Sequence, residues 1–201
     1  GAKTGSLNLL LYSVFRIGSP TDNISWQAYR EIADADDVAW TIPISLGDSH
    51  KGYRVVGTTE AFFKYFSFGK KRRLAFYKGE AFESTFDAVL GSEVATALGY
   101  SMGTEVILAH GLASASFTKH DNQPFVVVGV LAPTGTPVDH TIHVRLEGIE
   151  AIHAGGSKVP IGAFAPANRP VTNFSEPESI TAFMLGLKSR MGTFNVQRQI
   201  N

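Results

Sequence analysis

The chain has 201 residues, with 18 Lys and Arg against 18 Asp and Glu, and no Cys. Zero formal net charge excludes a nucleic-acid binder that works through broad positive potential, and the lack of Cys excludes disulfides, thiolate zinc sites and a cysteine nucleophile. A hydrophobic content of 44% with 18% charged residues belongs to a folded chain of one domain, or two small ones sharing a core.

No run of about 20 apolar residues spans a bilayer, and no signal-peptide pattern opens the chain. Both ends read as cut from a longer protein: Gly1-Ala2-Lys3 begins it, and Gln197 to Asn201 stops inside a helical pattern. Leu7 to Phe15 is apolar but short, fitting a helix on the core or a lead-in from a membrane. After the turn cluster Ser19 to Asn23, the spacing predicts an amphipathic helix over 24–34, with Ile24, Ala28 and Ile32 on the core stripe.

Val38 to Leu46 predicts a strand, and Pro43 in it predicts an edge or a strand end, because proline donates no ladder bond. Gly47-Asp48-Ser49 predicts a hairpin-like turn into a second strand, Tyr53 to Thr58. Glu60 to Phe66 is a short aromatic helix whose rings are expected in the core. Residues 69–86 are basic and aromatic without a clear period. Within them Lys70-Lys71-Arg72-Arg73, with Lys78, reads as a solvated loop or, more sharply, as a contact for an anionic lipid or partner.

Asp87 to Leu90 predicts a strand, and Ser92 to Leu98 a helix capped by Ser92, with Val94, Ala97 and Leu98 on one face and Gly99 as its left-handed end. Thr104 to Leu108 is β-branched and strand-like. Pro124 to Leu131 is a buried strand, Ala132 to Pro137 a loop, Thr141 to Val144 a strand, and Leu146 to Ile152 a helix weakened by Gly148. Residues 155–177 form a long Gly- and Pro-rich excursion. Ser179 to Leu187 reads as a central strand, and Met191 to Asn201 begins a helix. Short strands, hairpins and interspersed helices predict an α+β fold with mixed sheets.

Gly99-Tyr100-Ser101-Met102-Gly103 spells G-x-S-x-G, the nucleophile-elbow motif of α/β-hydrolases. The elbow needs a strand before the serine and a helix after it. Here a helix precedes and a strand follows, so Ser101 is expected in an ordinary turn, out of reach of any histidine. A serine hydrolase using Ser101, with Asp139 and His140 following in chain order, is the alternative from another class. The adjacency of Asp139 and His140 counts against a relay.

Asp139, His140 and His143 crowd one segment, with His153 after it and His110 and His120 before. Imidazole plus carboxylate is a zinc-type ligand set, which makes Asp139, His140 and His143 weak metal candidates in a second alternative, a periplasmic metal-binding module. In a strand over 141–144, His140 and His143 fall on opposite faces and do not converge without a bend.

Four segments in order resemble a known family. Val55 to Phe63 looks like its "V-x-G-x-x-x-x-F-F" step, and Gly79 to Phe82 its "G-x-x-F" step. Val89 to Leu98, with Gly103 to Leu108, is similar to "V-L-G-x-x-V-A-x-x-L" leading to "G-x-x-I/V-x-L". Phe125 to Leu131 is similar to "F-x-V-V-G-V-L". The family is the MacB-type periplasmic core domain of FtsX/MacB-family ABC transporter permeases.

The resemblance implies a periplasmic loop of a bacterial inner-membrane protein, not an enzyme, with no cofactor of its own. It implies a membrane-proximal, porter-like subdomain from residues 1–74 and 155–201, and an inserted, β-rich, sabre-like one from residues 75–154. Implied partners are a cytoplasmic ABC ATPase, a second permease copy as homodimer, and a periplasmic protein or cargo. No G-x-x-x-x-G-K-[ST] occurs, so nucleotide is not bound here by that route. The loop Thr134 to His140 and the histidines depart from the best-known members, which leaves the cargo open.

Overall fold

A computed structural model describes residues 23–110, 123–154 and 176–189, with Val14, Gly192, Thr193 and Val196. The segment Leu7 to Phe15, the Gly- and Pro-rich excursion up to residue 175, and the last helix fall almost wholly outside the described residues.

The fold is α+β, as the pattern of short elements predicts. The order is β1 (Ile24–Ser25), α1 (Trp26–Ala33), β2 (Val38–His50), β3 (Tyr53–Thr58), α2 (Ala61–Tyr65), β4 (Ser67–Phe68), β5 (Arg72–Arg73), β6 (Phe76–Gly79), β7 (Asp87–Leu90), α3 (Ser92–Leu98), β8 (Glu105–Val106), β9 (Ala109–His110) and β10 (Phe125–Leu131). A 3-10 turn (Pro137–His140), β11 (Thr141–Arg145), α4 (Leu146–Ala154), β12 (Ser179–Ile180) and β13 (Ala182–Leu187) complete it. A mixed sheet runs β13-β2-β3-β11-β7-β10-β6, with β8 on β10 and β9 on β2. β11 is parallel to β3 and β10 to β7.

Both faces of this sheet are covered, which is why its inner strands read as unbroken apolar runs. Successive residues point to opposite faces. Val55, Ala88, Leu90, Ile142 and Val144 face α3 and α4, in one core with Val94, Phe125, Ile149 and Ile152. Val56, Val89 and Leu131 face α2, in a second core with Phe62, Phe63 and Phe82. The aromatic helix therefore does what its composition predicts, with Phe62 fully buried. Arg145 fastens one corner, pairing with Glu60 at 2.9 Å and donating to the carbonyl of Glu83.

Several local expectations are corrected. Pro43 lies inside β2, not at its end. Ile44 accepts from the backbone of Thr181, so Pro43 turns its backbone the other way, toward β3. The β2–β3 pairing begins only at Ser45, so no ladder bond is lost, and the Pro43 carbonyl takes the hydroxyl of Thr58 at 2.8 Å. The hairpin turn is not at Gly47-Asp48-Ser49, which lies within β2 where the register shifts. It is at Lys51-Gly52, whose φ of 48° and 86° match the type I′ turn that suits the strand twist.

β13 is the end strand of the sheet order, not a central one. Helix α1 buries Tyr29, with Trp26 and Ala33 beside it; of the expected Ile24–Ala28–Ile32 stripe, Ile24 packs on this core, while Tyr29 takes its centre. The tyrosine hydroxyl meets Thr41 Oγ1 at 2.8 Å, so the larger ring takes the core position with its polar tip satisfied. Ser25 caps that helix, its hydroxyl accepting from Ala28 N–H. Helix α3 starts one residue earlier than expected: Gly91 is its cap and Ser92 its first residue. Its buried face is Val94 and Ala95, while Ala97 is exposed.

Residues 24 and 180 pair directly through β1 and β12, antiparallel. The early and late parts of the chain thus meet at one place, next to β13. Among the described residues, no helix is long and apolar enough to cross a membrane.

Candidate functional site

The G-x-S-x-G turn comes first, because its chemistry depends on context. α3 ends at Gly99 in the left-handed region, φ 65°, and Tyr100 N–H closes back on the carbonyl of Ala95 at 3.0 Å. Ser101 is exposed; its N–H donates to Thr104 Oγ1 and its carbonyl accepts from Thr104 N–H. The chain then enters β8. The order is helix, turn, strand, the reverse of a nucleophile elbow, so no helix N-terminus stands behind the serine.

The residue that works in this motif is Tyr100. Its hydroxyl lies 2.8 Å from His50 Nε2, and His50 Nδ1 lies 2.7 Å from the carbonyl of Ile107. A carbonyl only accepts, so Nδ1 carries a proton, and in the neutral ring Nε2 accepts from the tyrosine hydroxyl. Burial pushes its pKa below the usual histidine value, the Ile107 carbonyl opposes that, and Lys51 adds to the lowering. The histidine clamps the turn to the end of β2. Sequence reading missed it, because nothing local links residue 50 to residue 100.

The candidate set Asp139, His140 and His143 is not brought together. Asp139 is buried, and its carboxylate accepts from Thr134 N–H at 2.9 and 3.0 Å, Thr134 Oγ1 at 2.8 Å and Gly135 N–H at 2.7 Å. Those bonds hold the loop 134–139 shut. His143 is fully buried on the α2 face of the sheet, its ring 4.7 Å from that of Phe62. His140 is exposed at the end of the 3-10 turn. Among the described residues no group of three or more His, Asp or Glu side chains converges as metal ligands would. His120 lies outside the described residues.

His153 has a partner elsewhere. Its Nε2 is 3.3 Å from Asp48 Oδ2 at the shifted part of β2. That hydrogen bond raises its pKa, with burial opposing and the charges of Asp48 and Glu150 adding to the rise. A cleft of about 840 Å³ opens between the Lys51-Gly52 turn, α3 and the 3-10 turn, with Arg54, Glu93 and His140 on its walls. Its charges are of both signs, and the carboxylate of Asp139, which borders it, is already spent on the loop. Among the described residues, what the geometry defines is a braced sheet with clamped connections.

The family model of the MacB-like periplasmic core domain matches residues 4–168, most of the chain. The fold is similar to the extracellular domain of the noncanonic ABC-type transporter YknZ from Gram-positive bacteria, at TM-score 0.53 and 10% identity, covering 87% of this chain and 78% of that one. It is also similar to the periplasmic region of MacB from Actinobacillus actinomycetemcomitans, at TM-score 0.54 and 11% identity, covering 89% and 73%. A comparison with curated proteins finds no match. The chain belongs to the MacB-like periplasmic core domain family, the extracytoplasmic core of FtsX/MacB-type ABC transporter permeases.

Proposed function

We propose that this domain couples ATP hydrolysis on a cytoplasmic ATPase to motion outside the membrane, and through that motion handles cargo or a partner protein. It does so without catalytic chemistry of its own, in a permease that works as two copies in a bacterial inner membrane. The observation that carries this reading is the pairing of Ile24 with Ile180, which brings an early and a late segment of the chain to one place. A domain inserted between two membrane helices needs that geometry, and the sheet beyond it is a stiff lever. Under the same proposal, residues 1–74 and 155–201 form the membrane-proximal part and residues 75–154 the inserted part. The β3–β11 ladder ties the two.

The test is a nitroxide on Glu31→Cys, an exposed site on α1, in a full-length permease otherwise free of cysteine and reconstituted with its ATPase. The distance between labels on the two copies is expected to shift when ATP is trapped. Identical distance distributions in the two states contradict the coupling.

A further inference from the structure

In a chain of zero net charge, six of the 18 basic residues fall between residues 64 and 78: Lys64, Lys70, Lys71, Arg72, Arg73 and Lys78. No acid lies between them. The fold turns this run into a rigid display. β4 and β5 form a hairpin whose turn holds Lys71 at φ 60°, a left-handed conformation uncommon for a residue with a side chain. Arg73 locks the hairpin to the end of α2, donating to the carbonyls of Lys64 and Tyr65 at 2.9 and 2.6 Å. Arg72 lies over the Phe68 ring at 4.6 Å. Lys70, Lys71 and Lys78 are exposed and meet no acidic partner among the described residues.

The chain then enters β6, the end strand of the sheet. Its register against β10 shifts: Lys78 pairs with Val130 and Phe76 with Leu131, leaving Tyr77 as an extra, bulged residue. A bulge re-aims a side chain. Tyr77 is 79% exposed, although the backbone on both sides of it is fixed: Glu80 N–H donates to Val128, and Ala132 N–H donates to Ala75. The bulge and Lys78 blunt this edge against strand addition, so side chains and not backbone carry any contact made here.

We propose that Tyr77, with Lys70, Lys71 and Lys78, is a docking surface for an acidic protein partner outside the membrane. The tyrosine is the anchor, entering a pocket on the partner, and the lysines meet carboxylates around that pocket. Tyrosine is enriched at such energetic centres, and surrounding charge sets encounter rate and orientation. The choice of a protein over an anionic lipid rests on the permease reading above. β6 stands six strand positions from β13 in the sheet order, beside which residues 24 and 180 pair, so Tyr77 sits about 29 Å along the sheet from the side that the permease reading turns toward the membrane.

A library of random dodecapeptides on phage, panned on the 201-residue chain, tests this. The library is first cleared on the K70E/K71E/Y77A/K78E variant, whose melting temperature checks that it folds. Recovered peptides are expected to be rich in Asp and Glu. A synthetic peptide from the selection is expected to bind roughly tenfold more weakly to Tyr77→Ala, and to lose affinity as salt rises from about 0.05 to about 0.3 M. Peptides without acidic enrichment, equal affinity for the variant, or no recovered peptide overturn the proposal. So does wild-type flotation with phosphatidylglycerol vesicles when no acidic peptide binds, which assigns the patch to lipid. The selection involves no membrane, so it fails or succeeds separately from the permease reading.

Discussion

Asp139 offers the sharpest test of a brace against a binding site. Its carboxylate accepts from three donors, Thr134 N–H, Thr134 Oγ1 and Gly135 N–H. Thr134 is buried, whereas Gly135 is exposed and its N–H can be rehydrated. Asp139→Ala therefore strands one buried donor, Thr134 N–H, at a cost of about 1–3 kcal/mol, because the Thr134 hydroxyl can turn to Thr136 Oγ1 at 2.7 Å. Allowing for relaxation of the loop, the expected loss is about 2 kcal/mol, or roughly 4–8 °C in Tm for a chain of this size. Asp139→Asn keeps one acceptor but points an amide N–H at a donor, and is expected to lose about half as much. Urea unfolding followed by circular dichroism measures both, and zinc titration by calorimetry on the parent is expected to show no binding tighter than millimolar. If Asp139→Ala unfolds within about 0.5 kcal/mol of the parent and abolishes a tighter zinc site, the residue is a ligand and the brace is wrong.

Further outcomes are expected. Gly148→Ala gains about 1 kcal/mol of helix propensity, yet its Cβ would sit 2.5 Å from the Thr85 carbonyl and 2.6 Å from the Phe125 ring. Overpacking costs about 1–3 kcal/mol, so a thermal melt should show net destabilisation; a stabilised variant refutes the packing. Tyr100→Phe leaves buried His50 Nε2 without its donor and is expected to cost about 1–2 kcal/mol. Ser101→Ala should change stability by less than about 0.5 kcal/mol and leave no esterase activity to lose; the reverse ranking revives the hydrolase. His153 has a raised pKa through Asp48, so the stability from this pair is fully present below about pH 6.5 and fades as pH rises through the folded value. The difference between parent and Asp48→Asn should therefore shrink from acidic to alkaline pH. His50 has the opposite sign: its lowered pKa contributes above about pH 6.5, and the contribution is lost as pH falls. An Asp48→Asn difference that grows with pH contradicts the pairing.

The fold was legible where local patterns are strong. Asp87 to Leu90, the helix after it and its left-handed Gly99 stand where their residue types put them, and so does the Phe125–Leu131 strand. Pro43 misled because its meaning depends on which side of β2 is paired at that residue, and that is set by the distant strands β3 and β13. Residues 69–86 showed no period because β6 is bulged at Tyr77 and its neighbouring strands are two residues long. At the site, the serine motif lies in the helix-to-strand turn that its flanks predict. The bonds that matter there, His50 to Tyr100 and His153 to Asp48, join segments far apart in sequence and leave no spacing to read. The cluster Asp139, His140 and His143 shows the converse, since neighbours in sequence are sent to a loop, to solvent and to the core.

The most direct test of the account is the side of the membrane on which this domain works. The chain contains no Cys, so Glu93→Cys, exposed on α3, adds a single thiol to it. In intact cells carrying an otherwise cysteine-free full-length permease, and with an outer membrane opened where there is one, a membrane-impermeant maleimide is expected to label this site. Labelling only after the inner membrane is permeabilised would contradict the assignment.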